Sequence, residues 1–430
     1  MNSIAEPSPR VAIACGGTGG HLFPGLAVAK VLIRCGCRVM LLISSKQVDQ
    51  QAVEECTGME ICVLPAVGLT RGGELAFGRG FMRSYCAARR LFQARPPQAA
   101  LAMGGFTSAP PILAARRSGA RAFLHESNTI PGRANRWLSW GVHQAFIGFP
   151  SAAGRLHNRQ VTVTGTPVRP QFEATSDPGF CRTALGLDPS RPVLLVMGGS
   201  QGASGINELV IRSLPLLAQR APTLQWLHLT GPADVEKVTQ AYAALALTAV
   251  VHPFLARMEL AMGAATAAVS RSGASSLAEL AAMRVPAVLV PYPAATANHQ
   301  FHNARAFEAV GGARLLEQRN ATPQALTHLL RDLIEKPTVR EQMQKALVQW
   351  HTPQAAERIA EMMLATLGVQ VCGGQRTDAS SGSSPGLPVK NARLRVKPSG
   401  PLLGCRFQVG DAVPRRGNSS DLRQEAQVTA

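Results

Sequence analysis

Acidic residues, aromatic residues and long apolar runs are all scarce in this 430-residue chain. Asp and Glu number 26 against 44 Lys and Arg, and the resulting net charge of +18 indicates affinity for an anionic partner. Aromatic side chains make up 5% of the residues, which disfavours a dedicated single-strand nucleic-acid binder, because such proteins stack bases on aromatic platforms. No apolar run reaches the roughly 18 residues of a membrane helix, and no apolar signal region precedes the first strand, so we expect neither a membrane span nor a standard export signal.

Motifs for metal binding and nucleotide hydrolysis are also missing. The chain has no D-x-D, H-E-x-x-H or C-x-x-C pattern, so we expect no protein-held divalent metal. It has no P-loop G-x-x-x-x-G-K, which argues against a P-loop NTPase. The nine cysteines are an odd number and only Cys35 and Cys37 lie close together, which favours reduced thiols in a cytosolic protein.

What the chain does have is a regular alternation of short apolar strands with helical segments. The pattern predicts seven strands within Val11–Thr164 and six within Val193–Leu316, with a first helix over Phe23–Cys35. Continuous apolar strands separated by helices are typical of parallel sheets that are covered on both faces. We therefore predict an α/β protein with two doubly wound, Rossmann-like domains, joined by a hinge at the proline-containing segment Gly165–Pro170.

The domain boundaries follow from these patterns. We expect an N-terminal domain over 10–165, a second domain over 166–350 and a C-terminal helix over 351–367 that returns to the first domain. Beyond it the composition changes to Ser, Gly, Pro and Arg without regular apolar spacing. Residues 368–430 are therefore predicted to be a disordered basic tail.

Two of the strands run directly into glycine-rich turns, Gly16–His21 and Gly198–Gly202. A strand–glycine–helix junction aims free N–H groups and the positive end of a helix at an anion, so we expect one anionic group to bind in each domain. His21 lies at the first turn of the following helix, beside the first loop, and is a candidate general base, whose neutral form the positive helix end favours. The alternative is a histidine that only caps the backbone.

Other polar loops follow later strands. The glycine- and serine-rich segment Ser272–Ser276 opens a helix, and Glu279 lies about one turn into it. Its carboxylate there could accept hydrogen bonds from a ribose or simply complement the helix dipole. A second polar group carries amides and an imidazole that suit sugar hydroxyls, although a solvated polar helix face would have the same composition; its members are Asn298, His299, Gln300 and Asn303.

Seven motifs then occur in one order along the chain: G-G-T-G-G-H-x-F-P-G-L-A-V-A at 16–29, M-G-G-F-T-S-A-P at 103–110, H-E-S-N at 125–128, G-T-P-V-R at 165–169, G-G-S-Q-G-A at 198–203, R-S-G-A at 271–274 and H-Q-x-x-N-A at 299–304. Together they resemble the MurG family, the UDP-N-acetylglucosamine:undecaprenyl-pyrophosphoryl-N-acetylmuramoyl-pentapeptide N-acetylglucosamine transferases of bacterial peptidoglycan synthesis. The resemblance spans about Val11–Leu367. It implies the GT-B architecture, in which two doubly wound domains face a central cleft.

The resemblance also implies residue roles. His21 would be the catalytic base of an inverting transfer, Arg169 and Ser200 would contact the diphosphate, and Glu279 the ribose. Leu255 falls where the family reads uracil with its backbone, and Gln300 resembles the reader of the sugar hydroxyls. The full set of implied substrate-binding residues is Thr18, Gly19, Gly20, Asn128, Arg169, Ser200, Leu255, Ala274, Ser275, Ser276, Leu277, Ala278, Glu279 and Gln300.

The partners implied by the resemblance are UDP-GlcNAc in the second domain and undecaprenyl-linked lipid I at the first, with no cofactor. The protein would act at the cytoplasmic face of the inner membrane as a peripheral protein, on an anionic lipid surface. Between Leu69 and Arg95, apolar residues such as Phe81 and Met82 alternate with arginines, so this helix is the expected membrane contact. No nucleic acid is expected, and other cell-wall synthesis proteins are candidate partners.

Three other functions compete with this interpretation. A nicotinamide oxidoreductase would also have two Rossmann-like halves, but the chain lacks G-x-G-x-x-G and has Ser44 and Ser45 where an acidic residue should end the second strand. The segment Gly198–Gly202 satisfies the G-x-S-x-G pattern of a serine hydrolase, with Ser200 as nucleophile. The third is a basic module that binds membranes or polyanions without catalysis.

Overall fold

The computed structural model describes residues 8–46, 49–50, 53, 56–65, 73–174, 176–199 and 202–369. The described chain forms two parallel β-sheets, one after the other in sequence. Ser200 and nearly all of the predicted tail, from residue 370 onward, lie outside the described residues.

The first sheet has seven parallel strands, ordered β3-β2-β1-β4-β5-β6-β7: β1 Arg10–Ala14, β2 Arg38–Ser44, β3 Glu60–Leu64, β4 Ala99–Ala102, β5 Arg121–Glu126, β6 Gln144–Ile147 and β7 Val161–Val163. The strand predictions for this half are confirmed, with small differences at the ends. Strand β1 pairs with β2 on one side and β4 on the other. Successive strands are therefore added in one direction from β1 to β3 and in the opposite direction from β4 onward. Open α/β sheets bind ligands beside such a reversal, outside the carboxyl ends of the strands.

Four helices of this half are described: α1 Gly19–Arg34, α2 Glu74–Ala94, α3 Ala109–Arg117 and α4 Arg133–Leu138. The predicted start of the first helix at Phe23 is wrong, because α1 begins four residues earlier at Gly19. Glycine has a poor helix propensity, which made the pair before His21 look like loop, yet both glycines adopt helical conformation directly after the N-cap residue Thr18. His21 lies inside the first turn of α1, which confirms the position predicted for this residue.

The second sheet repeats the plan with six parallel strands, ordered β10-β9-β8-β11-β12-β13: β8 Val193–Met197, β9 Gln225–Leu229, β10 Ala249–His252, β11 Ala267–Ser270, β12 Ala287–Leu289 and β13 Arg314–Leu315. These strand predictions are also confirmed. The remaining helices are α5 Pro178–Ala184, α6 Ser204–Arg220, α7 Val235–Ala244, α8 Met258–Ala264, α9 Ala274–Ala282, α10 His299–Ala309, α11 Pro323–Glu335, α12 Pro337–Val348 and α13 Ala355–Thr366. The reversal falls between β8 and β11.

The last helix, α13, packs in the core of the first sheet rather than the second. Its buried face includes Ile359 and Met363, which lie in one apolar cluster with residues of β1 and α1. Arg34 of α1 also forms an ion pair of 2.7 Å with Glu357 of α13. Two crossings therefore connect the domains, one before α5 and one before α13.

Among the helices that the structure describes, none is both long enough and apolar enough to cross a bilayer.

Candidate active site

The first glycine turn follows β1, at the reversal point of the first sheet. Gly17 has a φ of +109°, a conformation that only glycine adopts without strain. A Cβ at Gly16 would lie 2.4 Å from the backbone nitrogen of Ser44, so this position has no room for a side chain. The hydroxyl of Thr107 donates a hydrogen bond of 2.5 Å to the Gly16 carbonyl oxygen. The turn is therefore fixed in shape against β2 and the loop after β4.

Asp49 is a buried acid that holds this turn, and the sequence analysis missed it. Its Oδ2 atom accepts hydrogen bonds from the Gly17 N–H at 2.6 Å, the Ser44 hydroxyl at 2.5 Å and the Ser44 N–H at 3.2 Å. The side chain is fully buried. The only sequence signal was an acidic residue shortly after β2. Dinucleotide-binding motifs have their acidic residue at the end of that strand itself, where this chain has Ser44.

We expect Asp49→Ala to lower the free energy of unfolding by roughly 2–4 kcal/mol, because it leaves the N–H of Gly17 and the hydroxyl of Ser44 buried without an acceptor. Urea unfolding measures the change. Ser44→Ala, which removes one of the three donors and leaves Asp49 paired with the other two, should cost less. Equal stability of wild type and Asp49→Ala would show that this carboxylate does not hold the turn.

The N-terminus of α1 presents Thr18, Gly19, Gly20 and His21 at the edge of this turn. No side chain caps the helix and its first turn has no acidic residue, so the first N–H groups remain available to an anion. Thr18 and Gly20 are exposed. These positions follow the carboxyl end of β1, the edge at which open α/β sheets bind their ligands.

His21 packs against the loop that follows β4. A Cβ at Gly104 would lie 2.8 Å from the Cε1 atom of the imidazole, and one at Gly105 would lie 3.2 Å from its Cδ2 atom. Both glycines have positive φ angles, +112° and +76°. Burial lowers the pKa of His21 below its ordinary value, although the nearby carboxylate of Glu126 opposes this. The imidazole is therefore neutral at pH 7 and able to accept a proton.

The loop after β5 is organised by Glu126. This buried carboxylate accepts the Asn128 N–H at 2.9 Å, the Asn128 side-chain amide at 3.0 Å, the Gly132 N–H at 3.0 Å and the Asn135 amide at 3.0 Å. All four partners donate, so the carboxyl group acts only as an acceptor. Asn128 is therefore held in a defined orientation at the carboxyl edge of the first sheet.

In the second domain, α9 follows β11 and its N-terminus is also uncapped. Gly273 is the N-cap, no side chain accepts from the first turn, and no acid lies there. The predicted binding residues of this segment divide by burial: Ala274, Leu277 and Glu279 are buried, whereas Ser275, Ser276 and Ala278 are partly exposed. The first N–H groups of α9 therefore have no side-chain acceptor, and they lie at the reversal point of the second sheet.

The structure pairs two residues to which the sequence analysis gave separate roles. Arg169, in the linker between the domains, lies 3.4 Å from the Oε1 atom of Glu279. Its guanidinium stacks on Phe23 of α1 at 4.4 Å and on Phe172 at 4.8 Å from the ring centres. Burial raises the pKa of Glu279 to about 7 even though Arg169 opposes the rise. The pair thus joins α1 of the first domain to α9 of the second.

Gln300 lies in the first turn of α10, after a strained entry. Ala297 and Asn298 have left-handed φ angles of 51° and 52°, which cost energy in residues other than glycine. Two hydrogen bonds hold the turn: the Tyr292 N–H donates to the side-chain oxygen of Gln300 at 2.9 Å, and the Ser272 hydroxyl donates to its carbonyl at 2.8 Å. The amide N–H₂ of Gln300 is left for another partner.

The second glycine turn, after β8, is also shaped by glycine. Gly199 and Gly202 have φ angles of +96° and +76°, and a Cβ at Gly202 would lie 2.2 Å from the Thr230 carbonyl oxygen. Ser200 of this turn is outside the described residues, so its predicted role stays a prediction. Leu255, after β10, is half-buried against the core of the second domain.

Apart from Arg169 in the linker, the predicted site residues that the structure describes follow the carboxyl ends of strands in the two sheets. The helices α1 and α9, which carry His21 and Glu279, contact each other across the boundary between the domains. Asn303 differs from both of its sequence interpretations, because it is fully buried and bonded to protein groups rather than available to a sugar or to solvent.

Among the described residues, no group of three or more His, Cys, Asp or Glu side chains is placed to hold a metal ion.

Comparisons with known proteins agree with this architecture. A family model described as the glycosyltransferase family 28 N-terminal domain matches residues 11–147, and one described as the glycosyltransferase family 28 C-terminal domain matches residues 193–359. The second match begins at β8, the first strand of the second sheet. The first match thus covers strands β1 to β6 of the first sheet, and the second covers all six strands of the second sheet.

Curated relatives are identical to this chain at slightly more than a third of the aligned positions. A protein of Anaeromyxobacter dehalogenans strain 2CP-C is 35% identical over 83% of this chain and 92% of its own length. One of Nitratidesulfovibrio vulgaris strain Miyazaki F is 37% identical over 83% of this chain and 97% of its own length. Both are named UDP-N-acetylglucosamine–N-acetylmuramyl-(pentapeptide) pyrophosphoryl-undecaprenol N-acetylglucosamine transferase. A crystal structure of Acinetobacter baumannii MurG superposes with a TM-score of 0.64 at 27% identity, covering 84% of this chain and 100% of that one.

Proposed function

The chain belongs to glycosyltransferase family 28, and from that membership we propose that it transfers N-acetylglucosamine from UDP-N-acetylglucosamine to undecaprenyl-pyrophosphoryl-N-acetylmuramoyl-pentapeptide. The product would be lipid II, the lipid-linked disaccharide of peptidoglycan synthesis. The observation that carries the proposal is that 92% and 97% of the lengths of two relatives with this named activity align with the chain, across both sheets. The nicotinamide and hydrolase alternatives have no comparable support.

The donor would bind the second domain. The uncapped N-terminus of α9 and the guanidinium of Arg169 supply positive charge for the diphosphate, and Ser200 is proposed to add a hydroxyl. Glu279 would release Arg169 and accept hydrogen bonds from the ribose hydroxyls. Leu255 would meet uracil with its backbone, and the free amide hydrogens of Gln300 would donate to the sugar.

The first domain would bind the acceptor and start the reaction. Neutral His21 takes the proton of the acceptor hydroxyl, whose oxygen forms a bond to the anomeric carbon while the bond to UDP breaks. Attack opposite the leaving group inverts the configuration at that carbon. Negative charge that develops on the departing diphosphate is met by the N–H groups of α9, which are already oriented in the free protein, and by Arg169 once Glu279 has released it.

Two measurements test the proposed function. We expect UDP to raise the thermal midpoint of the protein, whereas NAD should not, because only a ligand of the native state stabilises it. We also expect transfer of labelled N-acetylglucosamine from UDP-N-acetylglucosamine to a lipid I analogue. Stabilisation by NAD alone, or binding of UDP without any transfer, would contradict the proposal.

We further propose that α2 contacts the membrane that holds the acceptor. The inner face of α2 buries Gly80, Ser84, Ala88 and Phe92. On its outer side Leu75 is 81% exposed and Met82 is 55% exposed. Exposed arginines flank them, namely Arg79, Arg83, Arg89 and Arg90. An apolar pair among arginines suits an interface where acyl chains lie beside phosphate groups.

We expect the double substitution Leu75→Ser and Met82→Ser to weaken binding to vesicles that contain phosphatidylglycerol, while UDP affinity stays unchanged. Phe81, the other residue that the sequence suggested, packs partly against the core and is a poorer choice because its loss would also destabilise the fold. Binding of the wild type should weaken as salt rises, since ions screen the arginines. Vesicle sedimentation measures both effects.

The matched control is Phe180→Ser, which removes an apolar side chain that is 62% exposed in the second domain. It should leave vesicle binding intact. Equal vesicle binding by the α2 double variant and the wild type would exclude this helix as the membrane contact.

A further inference from the structure

Helix α10 contacts the first domain through one of its faces. Asn303 and Phe307 lie four residues apart on this face, and both are buried. The ring of Phe307 stacks on Trp350 with 5.0 Å between centres and lies 6.2 Å from Phe149, which follows β6 of the first domain. Phe149 itself is part of the apolar core of the second domain. The domains therefore share an apolar contact at this end of α10.

One turn earlier on the same face, Asn303 makes a polar contact with the first domain. Its Oδ1 atom accepts hydrogen bonds from both the N–H and the hydroxyl of Thr129, each at 2.9 Å. Its amide N–H₂ donates to the Oδ1 atom of Asn128 at 3.0 Å and to the Ser272 carbonyl at 3.2 Å. Two of its three partner residues belong to the loop after β5.

Glu126 determines which side of this contact donates the hydrogen bond and which side accepts it. Because that carboxylate accepts both the N–H and the side-chain amide of Asn128, only the Oδ1 atom of Asn128 can face α10. The group at position 303 must therefore donate to Asn128 and to the Ser272 carbonyl, and accept from Thr129 at the same time. Among the side chains of this size, only the amide of asparagine does both.

We propose that Asn303 is a positioning residue that fastens the Asn128 loop of the first domain to α10 and so places Asn128 against the donor sugar, a role that rests on the proposed function. The carboxamide of Asn303 does not touch the substrate. It sets the distance between the loop after β5 and the helix that carries Gln300. UDP without its sugar would bind the second domain and should not depend on this contact.

The cleanest test is Thr129→Val, which removes one hydroxyl donor to Asn303 and leaves every second-domain contact in place. We expect the KM for UDP-N-acetylglucosamine to rise about 3- to 5-fold, while the Kd for UDP changes less than about 2-fold. Hydrogen exchange of the segment 125–132 in the ligand-free protein should become faster by about the same factor. Thr129→Ser, which keeps the hydroxyl, should restore both values.

A stronger variant is Asn303→Asp, which keeps the shape and the acceptor atom but cannot donate to Asn128 or Ser272. We expect a rise of about 10-fold or more in the same KM and in the same exchange rate. The matched control is Asn207→Asp, because Asn207 is a buried asparagine of the second domain whose amide bonds Thr230 and Asp234 but no residue of the first domain. It should lower stability without faster exchange in 125–132.

Faster exchange of 125–132 together with a rise in KM that spares UDP supports the inference. It is overturned if Thr129→Val leaves both values unchanged, or if UDP and UDP-N-acetylglucosamine lose affinity equally. Absence of transfer by the wild-type protein would instead contradict the proposed function. Exchange in the ligand-free protein does not require activity, so the two failures are distinguishable.

Discussion

Replacement of His21 by alanine is expected to lower kcat by about 100-fold or more, because a positioned general base contributes about that much to proton transfer in the transition state. The Kd for UDP-N-acetylglucosamine should change little, since the loss falls on the transition state rather than on donor binding. Steady-state kinetics with a lipid I analogue, together with donor titration by calorimetry, separates the two quantities. A kcat within a few-fold of wild type would make His21 a structural residue.

The control for this experiment is His302→Ala, which removes an exposed histidine of α10. It should leave kcat unchanged. The pH dependence offers a second check: because burial lowers the pKa of His21, the imidazole loses its basic form only below its ordinary titration range. The kcat of the wild type should therefore be constant from pH 8 to about 7 and fall only in more acidic solution.

Glu279→Gln is expected to weaken UDP binding by roughly 10- to 100-fold at pH 8, because the ribose hydroxyls lose a charged acceptor in a buried site. Titration calorimetry measures the change. Glu208→Gln is the matched control, since Glu208 lies in the same domain and pairs with Lys237 at the surface. Unchanged UDP affinity in Glu279→Gln would remove this residue from the binding site.

The same variant should be more stable than the wild type when no ligand is present. The pKa of Glu279 is raised to about 7 in the folded protein, so folding favours the protonated form and stability falls as pH rises from about 4.5 to 7. Glutamine removes this dependence, and the gain at pH 8 is about 3 kcal/mol. Urea unfolding at pH 5 and pH 8 tests the sign, and a variant that is less stable at pH 8 would contradict the argument.

The strands and the glycine turns could be predicted from sequence because their signals are local. Buried strands such as Val193–Met197 are continuous apolar runs, and each glycine turn follows its strand directly. The start of α1 could be placed only to within four residues, because glycines that open a helix look like glycines of a loop. Asp49 was missed for a different reason: it lies 32 positions from Gly17, the group that it holds.

The same limit applies to the candidate site. Glu279 and Arg169 could each be identified, but their pairing joins residues 110 positions apart and depends on how two domains meet. Asn303 looked like a sugar reader or a solvated residue, and its burial is set by a loop 174 positions away. Residue type and spacing indicate which kinds of group a side chain can form hydrogen bonds with. Which residue it contacts depends on the tertiary structure.

The position of α13 has a consequence for the order in which the protein can be completed during synthesis. The first sheet leaves the ribosome early, but the helix that covers part of its core, with Ile359 and Met363, is made only after the entire second domain. Until then the apolar side of α1 that packs against α13 is exposed to solvent. The nascent first domain therefore has an apolar surface through which it can aggregate with other chains. A fragment that ends at the interdomain linker would keep that surface permanently, so truncation there should yield aggregates rather than an isolated acceptor domain.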